Sequence, residues 1–149
     1  MERKEITSWN DIENIKTDLL RGIYSHGFEN PSPIQQKAIL PALDKKDLIA
    51  QAQSGTGKTG SFTVTALQLI NTDENKTQVL IMSPTRELST QIFSVLNNIG
   101  CHMDGLKTHL LVGGNSIDKD IVSLRDKPHI IVGCPGRVHD MIRRNKLNA

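Results

Sequence analysis

The apolar positions of this chain follow two rhythms. Ile15, Leu19 and Ile23 recur at helical spacing, and Gly27 then offers a helix stop. Ser32-Pro33 opens a second helix, with serine as N-cap and proline in the first turn. After that, short apolar runs alternate with longer helical stretches. The runs predict strands at Leu48–Ala50, Gln78–Met82, Thr108–Val112 and His129–Val132. Helices are predicted at Lys58–Ile70, Thr85–Asn98, Ser116–Leu124 and Pro135–Arg144. Strands that are apolar throughout, rather than alternating, are expected to be covered on both faces. A repeated βα pattern of this kind predicts an α/β fold, a parallel sheet wrapped by helices.

Length and composition narrow this reading without naming a function. The chain has 149 residues, enough for one ordinary domain with one sizeable core. Apolar residues make up 37% and charged residues 23%, the balance of a globular chain rather than a disordered one. A net charge of +2 does not mark a nucleic-acid binder unless its basic residues cluster. Cys101 and Cys134 are too few for a disulfide framework and share no metal-ligand spacing with a histidine, so a reduced intracellular setting is expected. The start, MERKEITSW, carries no apolar signal segment, and no run approaches membrane-spanning length.

Candidate chemistry begins with the run Ala52-Gln53-Ser54-Gly55-Thr56-Gly57-Lys58-Thr59-Gly60, between the first predicted strand and the helix after it. In P-loop proteins a strand leads through a flexible turn into a helix, and backbone N–H groups surround the phosphates of a nucleotide. Lys58 would add a point charge, the Thr59 hydroxyl would help hold Mg²⁺, and Gly55 would permit close backbone approach. Ala52 stands where the general pattern has its first glycine. A surface turn with an incidental lysine is the plain alternative; the strand before and the helix after favour a nucleoside triphosphate site. The base and the purpose are not specified by such a loop.

Upstream, Gln35 has two readings. Its amide carries a donor and an acceptor and could read adenine at N6 and N7 together, whereas guanine would lose one of those bonds. Equally, Ser32-Pro33-Ile34-Gln35 spells a capping box, in which Gln35 only returns to the Ser32 backbone. Both readings stand on the residues alone.

The stretch GFENPSPIQ, with Trp9 upstream and AQSGTGKT downstream, resembles the adenine-recognition element and P-loop of the DEAD-box RNA helicases. The resemblance implies a RecA-like P-loop NTPase domain of three layers that binds ATP and Mg²⁺. It implies that Gln35 reads adenine while Phe28 and Trp9 shape the pocket, Trp9 standing where the family usually has Phe. It implies that Lys58 and Thr59 serve catalysis within a nucleotide site running from Ala52 to Gly60, Thr59 also being the metal-side residue. Three further stretches resemble the family in the right order, each after a predicted strand: Pro84-Thr85-Arg86-Glu87-Leu88, Gly113-Gly114 and Cys134-Pro135-Gly136-Arg137. In doubly wound sheets that edge is where ligands bind.

Helix N-termini, glycine amides, the Thr85 hydroxyl and the charges of Arg86 and Arg137 suit a sugar-phosphate backbone, so sequence-independent RNA binding is implied. Singly, each stretch has an ordinary explanation: Pro84 and Pro135 as first-turn residues, Gly113-Gly114 as a loop, Arg86 with Glu87 as a surface pair. The ordered set outweighs these. Cys134 stands where the family has Thr, removing a hydroxyl, and Ser89 replaces the usual Ala.

The resemblance runs from Trp9 to Leu147, and no D-E-A-D or D-E-x-H follows. Residues 1–149 are therefore expected to be part of an N-terminal RecA-like ATP-binding domain, with 1–35 as its adenine-recognition region, incomplete at the C-terminus. Such a chain alone is expected to be inactive, its parent being an ATP-dependent RNA helicase; a non-catalytic ATP- or RNA-binding module is the alternative. Within the family, IAQAQSGTGKT and LLRGIYSHGFENPSPIQQKAILP are most similar to the translation initiation factor four-A group, while MIRRNKL is similar to its exon-junction sibling. The first similarity implies translation initiation scaffold proteins as partners and a cytoplasmic location; the second, a nuclear one. No membrane partner is expected.

Overall fold

Local sequence sets most of the helix boundaries. In the computed structural model, which describes residues 5–52 and 57–148, Ser32 caps a helix whose first residue is Pro33. Proline is suited there, because its missing N–H has no helical partner to lose. The chain forms two compact units, Met1–Leu69 with Val95–Met103, and Ile70–Ser94 with Asp104–Ala149.

The first unit is helical. A short 3-10 turn, Trp9–Asp11, precedes helices α1 (Thr17–Ser25), α2 (Pro33–Leu43) and α3 (Lys58–Leu69). Both α1 and α2 pack on α3. Trp9, Leu19, Ile23, Ile39, Leu67 and Ile99 are wholly buried, each worth about 1.5–3 kcal/mol by transfer from water. Gly22 allows α1 to touch the chain at Ile99, because a Cβ there would stand 1.7 Å from the Ile99 carbonyl oxygen.

The second unit is built on a parallel sheet of strands β1 (Val79–Met82), β2 (Thr108–Leu111) and β3 (Ile130–Gly133), in the order β1-β3-β2. Helices α4 (Arg86–Ile99) and α5 (Ile117–Arg125) make the crossovers, and α6 (Pro135–Arg143) follows β3. The register aligns the strand ends, Met82 and Leu111 both opposite Gly133. Three loops therefore leave one edge of the sheet together. Leu111, Leu124, Ile131, Val138 and Met141 form the core beneath them.

The four helices predicted from Lys58 onward match expectation to within one residue, the ordinary uncertainty of frayed ends, whereas α1 begins at Thr17 and leaves Ile15 outside it. Two expectations fail. Leu48–Ala50 is not a strand, and Leu48 is 46% and Ile49 98% exposed. A strand exists only where its N–H and C=O groups meet a neighbour, and none of the three strands found pairs with this run. Coverage on both faces also holds only for β3, buried along its whole length. Strand β1 alternates, with Leu80 and Met82 exposed, as an edge strand with one uncovered face does.

Candidate functional site

In the first unit the residues expected around a nucleotide interlock. Ser8 and Asp11 form a capping box about the Trp9 turn. The Asp11 carboxyl accepts from the backbone N–H groups of Thr7 and Ser8, both at 2.9 Å, and from the Thr7 hydroxyl. Those bonds, the Thr7 backbone first, hold it below the ordinary carboxylate range. The turn buries Trp9 completely, and its indole N–H donates to the Phe28 carbonyl at 3.0 Å. The two rings are stacked at 6.4 Å between centroids, and His26 meets Phe28 edge-on at 4.7 Å. Trp9 thus supports the aromatic element from within, while half-buried Phe28 is the ring nearer the surface.

Gln35 satisfies the capping box and does more. Its Oε1 accepts from the Ser32 N–H at 2.8 Å, and the Ser32 hydroxyl lies 3.5 Å from the Gln35 N–H. Its Nε2 donates to the Gly57 carbonyl at 3.2 Å, joining this element to the start of α3. One N–H and one acceptor lone pair of the amide remain, the pair that adenine would need. Capping and base reading are therefore compatible, although only 2% of the residue is exposed and the available edge is narrow.

The start of α3 is shaped around that amide. Gly57 has φ +96°, in the left-handed region, and a Cβ there would lie 2.5 Å from the Ser32 hydroxyl. A Cβ on Gly60 would lie 2.5 Å from Gln35 Nε2 and 2.9 Å from the Phe28 ring. Lys58 and Thr59, both half-buried, are the first two residues of the helix. Ala52 is half-buried in the segment before it. Gln53, Ser54, Gly55 and Thr56 lie outside the described residues. A lysine ammonium, a threonine hydroxyl and a helix N-terminus are a donor set that fits a magnesium-bound triphosphate. Among the described residues no group of three or more His, Cys, Asp or Glu could hold a metal ion. The Leu48–Ala50 run borders a hollow of about 260 Å³ between α2 and α3, walled by Ile34, Ala38 and Phe62.

In the second unit the three marked stretches meet at the aligned strand ends. After β1, Pro84, Thr85 and Arg86 are exposed. The Thr85 oxygen accepts from the Leu88 N–H at 3.1 Å, capping α4, and its own O–H remains to donate. Arg86 Nη1 lies over the loop after β2, 2.6 Å from where a Cβ of Gly114 would stand. No ion pair involves Arg86 among the described residues, so the plain alternative of a surface pair with Glu87 is not found. Gly113 and Gly136 are exposed, and a Cβ on either would meet nothing within 4 Å. Pro135 and Gly136 open α6, and Gly136 borders with Gly113 and Arg137 an open hollow of about 560 Å³. Asp140 also lines it, held below the ordinary carboxylate range by Arg143 and then Arg144.

Arg137 differs from its neighbours. Its guanidinium donates to the Asp120 carboxylate at 2.6 Å and to the Asn115 carbonyl at 3.0 Å, and 11% of the side chain is open. Sequence reasoning missed Asp120, whose place in the first turn of α5 reads as an ordinary dipole partner. It also missed His26 and His109, which nothing in their local pattern marks. The two departures from the family pattern touch: Ser89 Oγ bonds to Ser83 and lies 3.4 Å from Cys134 Sγ. A hydroxyl gained at 89 thus faces the position where one is lost at 134.

The geometry can be set beside known proteins. The ATP-dependent RNA helicase eIF4A of Coccidioides immitis is 50% identical over 143 residues, covering 96% of this chain and 36% of the relative. That of Pyricularia oryzae is 52% identical over 137 residues, covering 92% of this chain and 34% of the relative. This chain therefore spans about a third of the length of these relatives. Among solved structures, a DEAD box protein from the hyperthermophile Methanococcus jannaschii superposes with a TM-score of 0.88 at 34% identity, over 97% of this chain and 39% of that one. Saccharomyces cerevisiae Dbp5 bound to RNA and ADP BeF3 gives 0.83 at 33% identity, over 96% and 36%. The parallel sheet with its helices is accordingly the RecA-like fold of these proteins. The family model for DEAD/DEAH box helicases matches residues 32–149, from the Ser32 cap through the lysine helix to all three strand-end loops, and on that match the chain belongs to the DEAD/DEAH box helicase family.

Proposed function

We propose that this chain carries the nucleotide grip and part of the RNA grip of an ATP-dependent RNA helicase of the eIF4A type, within a partial N-terminal RecA-like domain spanning 1–149. The observation that carries the proposal is the convergence of three loops at the aligned ends of β1, β2 and β3, each offering phosphate-binding groups. A kinase or transporter ATPase that shares only the lysine loop has no use for that edge.

In this reading ATP enters with its adenine toward Phe28 and the free edge of Gln35. Lys58 would supply positive charge to the β- and γ-phosphates, and the Thr59 hydroxyl would help hold Mg²⁺, which would offset the phosphate charge. Bound ATP supplies the reactive phosphoanhydride; the chain's own residues bind and orient it. RNA lies along the second unit, its phosphates accepting from the Thr85 hydroxyl, the α6 N-terminus and the amides of Gly113 and Gly114, with Arg86 supplying charge. Partners among translation initiation scaffold proteins and a cytoplasmic location follow from the eIF4A likeness and belong to the same proposal.

The test is phosphate release from ATP by the protein that carries this segment, with and without single-stranded RNA of several sequences. We expect stimulation by RNA irrespective of sequence. Hydrolysis indifferent to RNA, or stimulated by one sequence alone, contradicts the proposal.

A further inference from the structure

We propose that Arg137 is a positioning residue rather than a phosphate ligand: with Asp120 it forms a buried clamp that sets the Gly113–Gly114 loop beside the start of α6. This rests on the RNA-binding reading above and changes the role of one residue within it. Four elements converge on the pair. Arg137 comes from α6 and Asp120 from α5, the carbonyl of Asn115 ends the glycine loop, and His109 lies on β2.

Arg137 Nη1 donates to both Asp120 Oδ2 and the Asn115 carbonyl, while Asp120 Oδ1 lies 2.9 Å from His109 Nε2. A carboxylate only accepts, so that histidine nitrogen is assigned the proton. Both carboxylate oxygens are thus engaged, and the Asp120 side chain is only 3% exposed.

Two consequences separate Arg137 from Arg86. The charge of Arg137 is already matched inside the fold, so it offers little to an approaching phosphate. Turning outward would leave a buried carboxylate that has lost its cation, which is strongly destabilising. Arg86 is exposed and free of ion pairs among the described residues, so a phosphate can take it at no such cost. What the clamp does for RNA is geometric. By holding the Asn115 carbonyl it fixes the residues just before it, Gly113 and Gly114, whose amides the RNA-binding reading assigns to phosphate. A loop held in its binding geometry loses less freedom when RNA binds.

The experiment measures binding of a fluorescein-labelled oligouridylate to the full chain over a potassium chloride series, for wild type, Asp120→Asn, Arg137→Gln, the double variant and Arg86→Gln. The double variant removes both buried charges while keeping the shape, so it serves if a single variant fails to fold. We expect each clamp variant to lose affinity on the order of tenfold, as for a hydrogen bond to a charged group. The double variant should lose no more than either single one. The logarithmic salt slope should stay at the wild-type value in all three, and fall by about 0.7 only in Arg86→Gln.

A slope lowered by about 0.7 in Arg137→Gln, with Asp120→Asn binding normally, makes Arg137 a direct ligand and overturns the proposal. Wild-type affinity in all clamp variants reduces the pair to a stability element and overturns it equally. If the wild-type chain binds no RNA, the proposed function fails, and the clamp is judged by the amide resonances of Gly113 and Gly114. They should shift in Asp120→Asn; unmoved resonances overturn the clamp.

Discussion

A methyl group added at Gly60 would meet the Gln35 amide at 2.5 Å and the Phe28 ring at 2.9 Å, whereas one added at Gly113 or Gly136 would meet nothing within 4 Å. The two halves of the candidate site are built on opposite principles. In the first unit the residues that would hold ATP also hold each other: Trp9 to the Phe28 carbonyl, Gln35 to Ser32 and to Gly57. Each is explained by packing before any ligand is considered. In the second unit Gly113 and Gly136 are glycines that neither a neighbouring atom nor a left-handed φ requires, and the space above them is open. Damage to the first unit should register in stability and binding together, damage at the exposed glycines of the second in binding alone.

Several substitutions sharpen or break this contrast. The largest effect is expected for Lys58→Ala, which should abolish triphosphate binding because it removes the charge over the β- and γ-phosphates. Titration with a fluorescent ATP analogue measures it, and unchanged affinity would remove Lys58 from the site. Next comes Gly60→Ala, which forces Gln35 and Phe28 apart and should cost about 1–3 kcal/mol of stability without any ligand. A thermal melt of the nucleotide-free chain reads this directly, and an unchanged melt would break the contrast at its strongest point.

Gln35→Ala should lower stability by about 1 kcal/mol through the lost capping box. It should also erase much of the preference for ATP over GTP, about 1–3 kcal/mol of discrimination. Paired melts and nucleotide titrations separate the two losses, and a melt shift with full discrimination would leave Gln35 as a cap alone. Gly136→Ala, in the first turn of α6, should melt no lower than wild type, since alanine suits a helix better than glycine. Its affinity for single-stranded RNA should nonetheless fall severalfold, and a lower melting temperature would mean that the space at Gly136 is not open.

The smallest effect concerns pH. The Asp11 carboxyl titrates below its ordinary range because backbone N–H groups of Thr7 and Ser8 hold its charged form. A depressed folded value means that this stabilisation is present above the unfolded value, near pH 4, and is lost as pH falls through the folded one. Asp11→Asn should therefore melt slightly lower at neutral pH and show a shallower decline on acidification, as a series of melts would record.

Much of this was legible in the sequence. Helix periodicity, Ser32-Pro33 and the runs before Pro84, Gly113 and Cys134 are local signals, and the elements they predict form with ends shifted by a residue. The failures are non-local. Leu48–Ala50 has the composition of a strand, but a strand is a property of a pair, and composition does not supply the partner. Arg137 has the look of an exposed cation; its burial depends on Asp120, 17 residues earlier on another helix. Ser89 and Cys134 meet across 45 residues for the same reason. At Gln35 the capping box was legible from Ser32-Pro33-Ile34-Gln35, and the structure forms it; the bond from its Nε2 to the Gly57 carbonyl, 22 residues on, was not legible.

The measurement that tests the division most directly is a two-dimensional amide NMR titration of the chain, once with magnesium and a non-hydrolysable ATP analogue and once with oligouridylate. The account predicts two separate sets of shifted resonances. The nucleotide should move Phe28, Gln35 and the residues from Gly57 to Gly60; the RNA should move Thr85, Arg86, Gly113, Gly114 and Gly136. RNA shifts that fall among the nucleotide set, or miss the three strand-end loops, would contradict it.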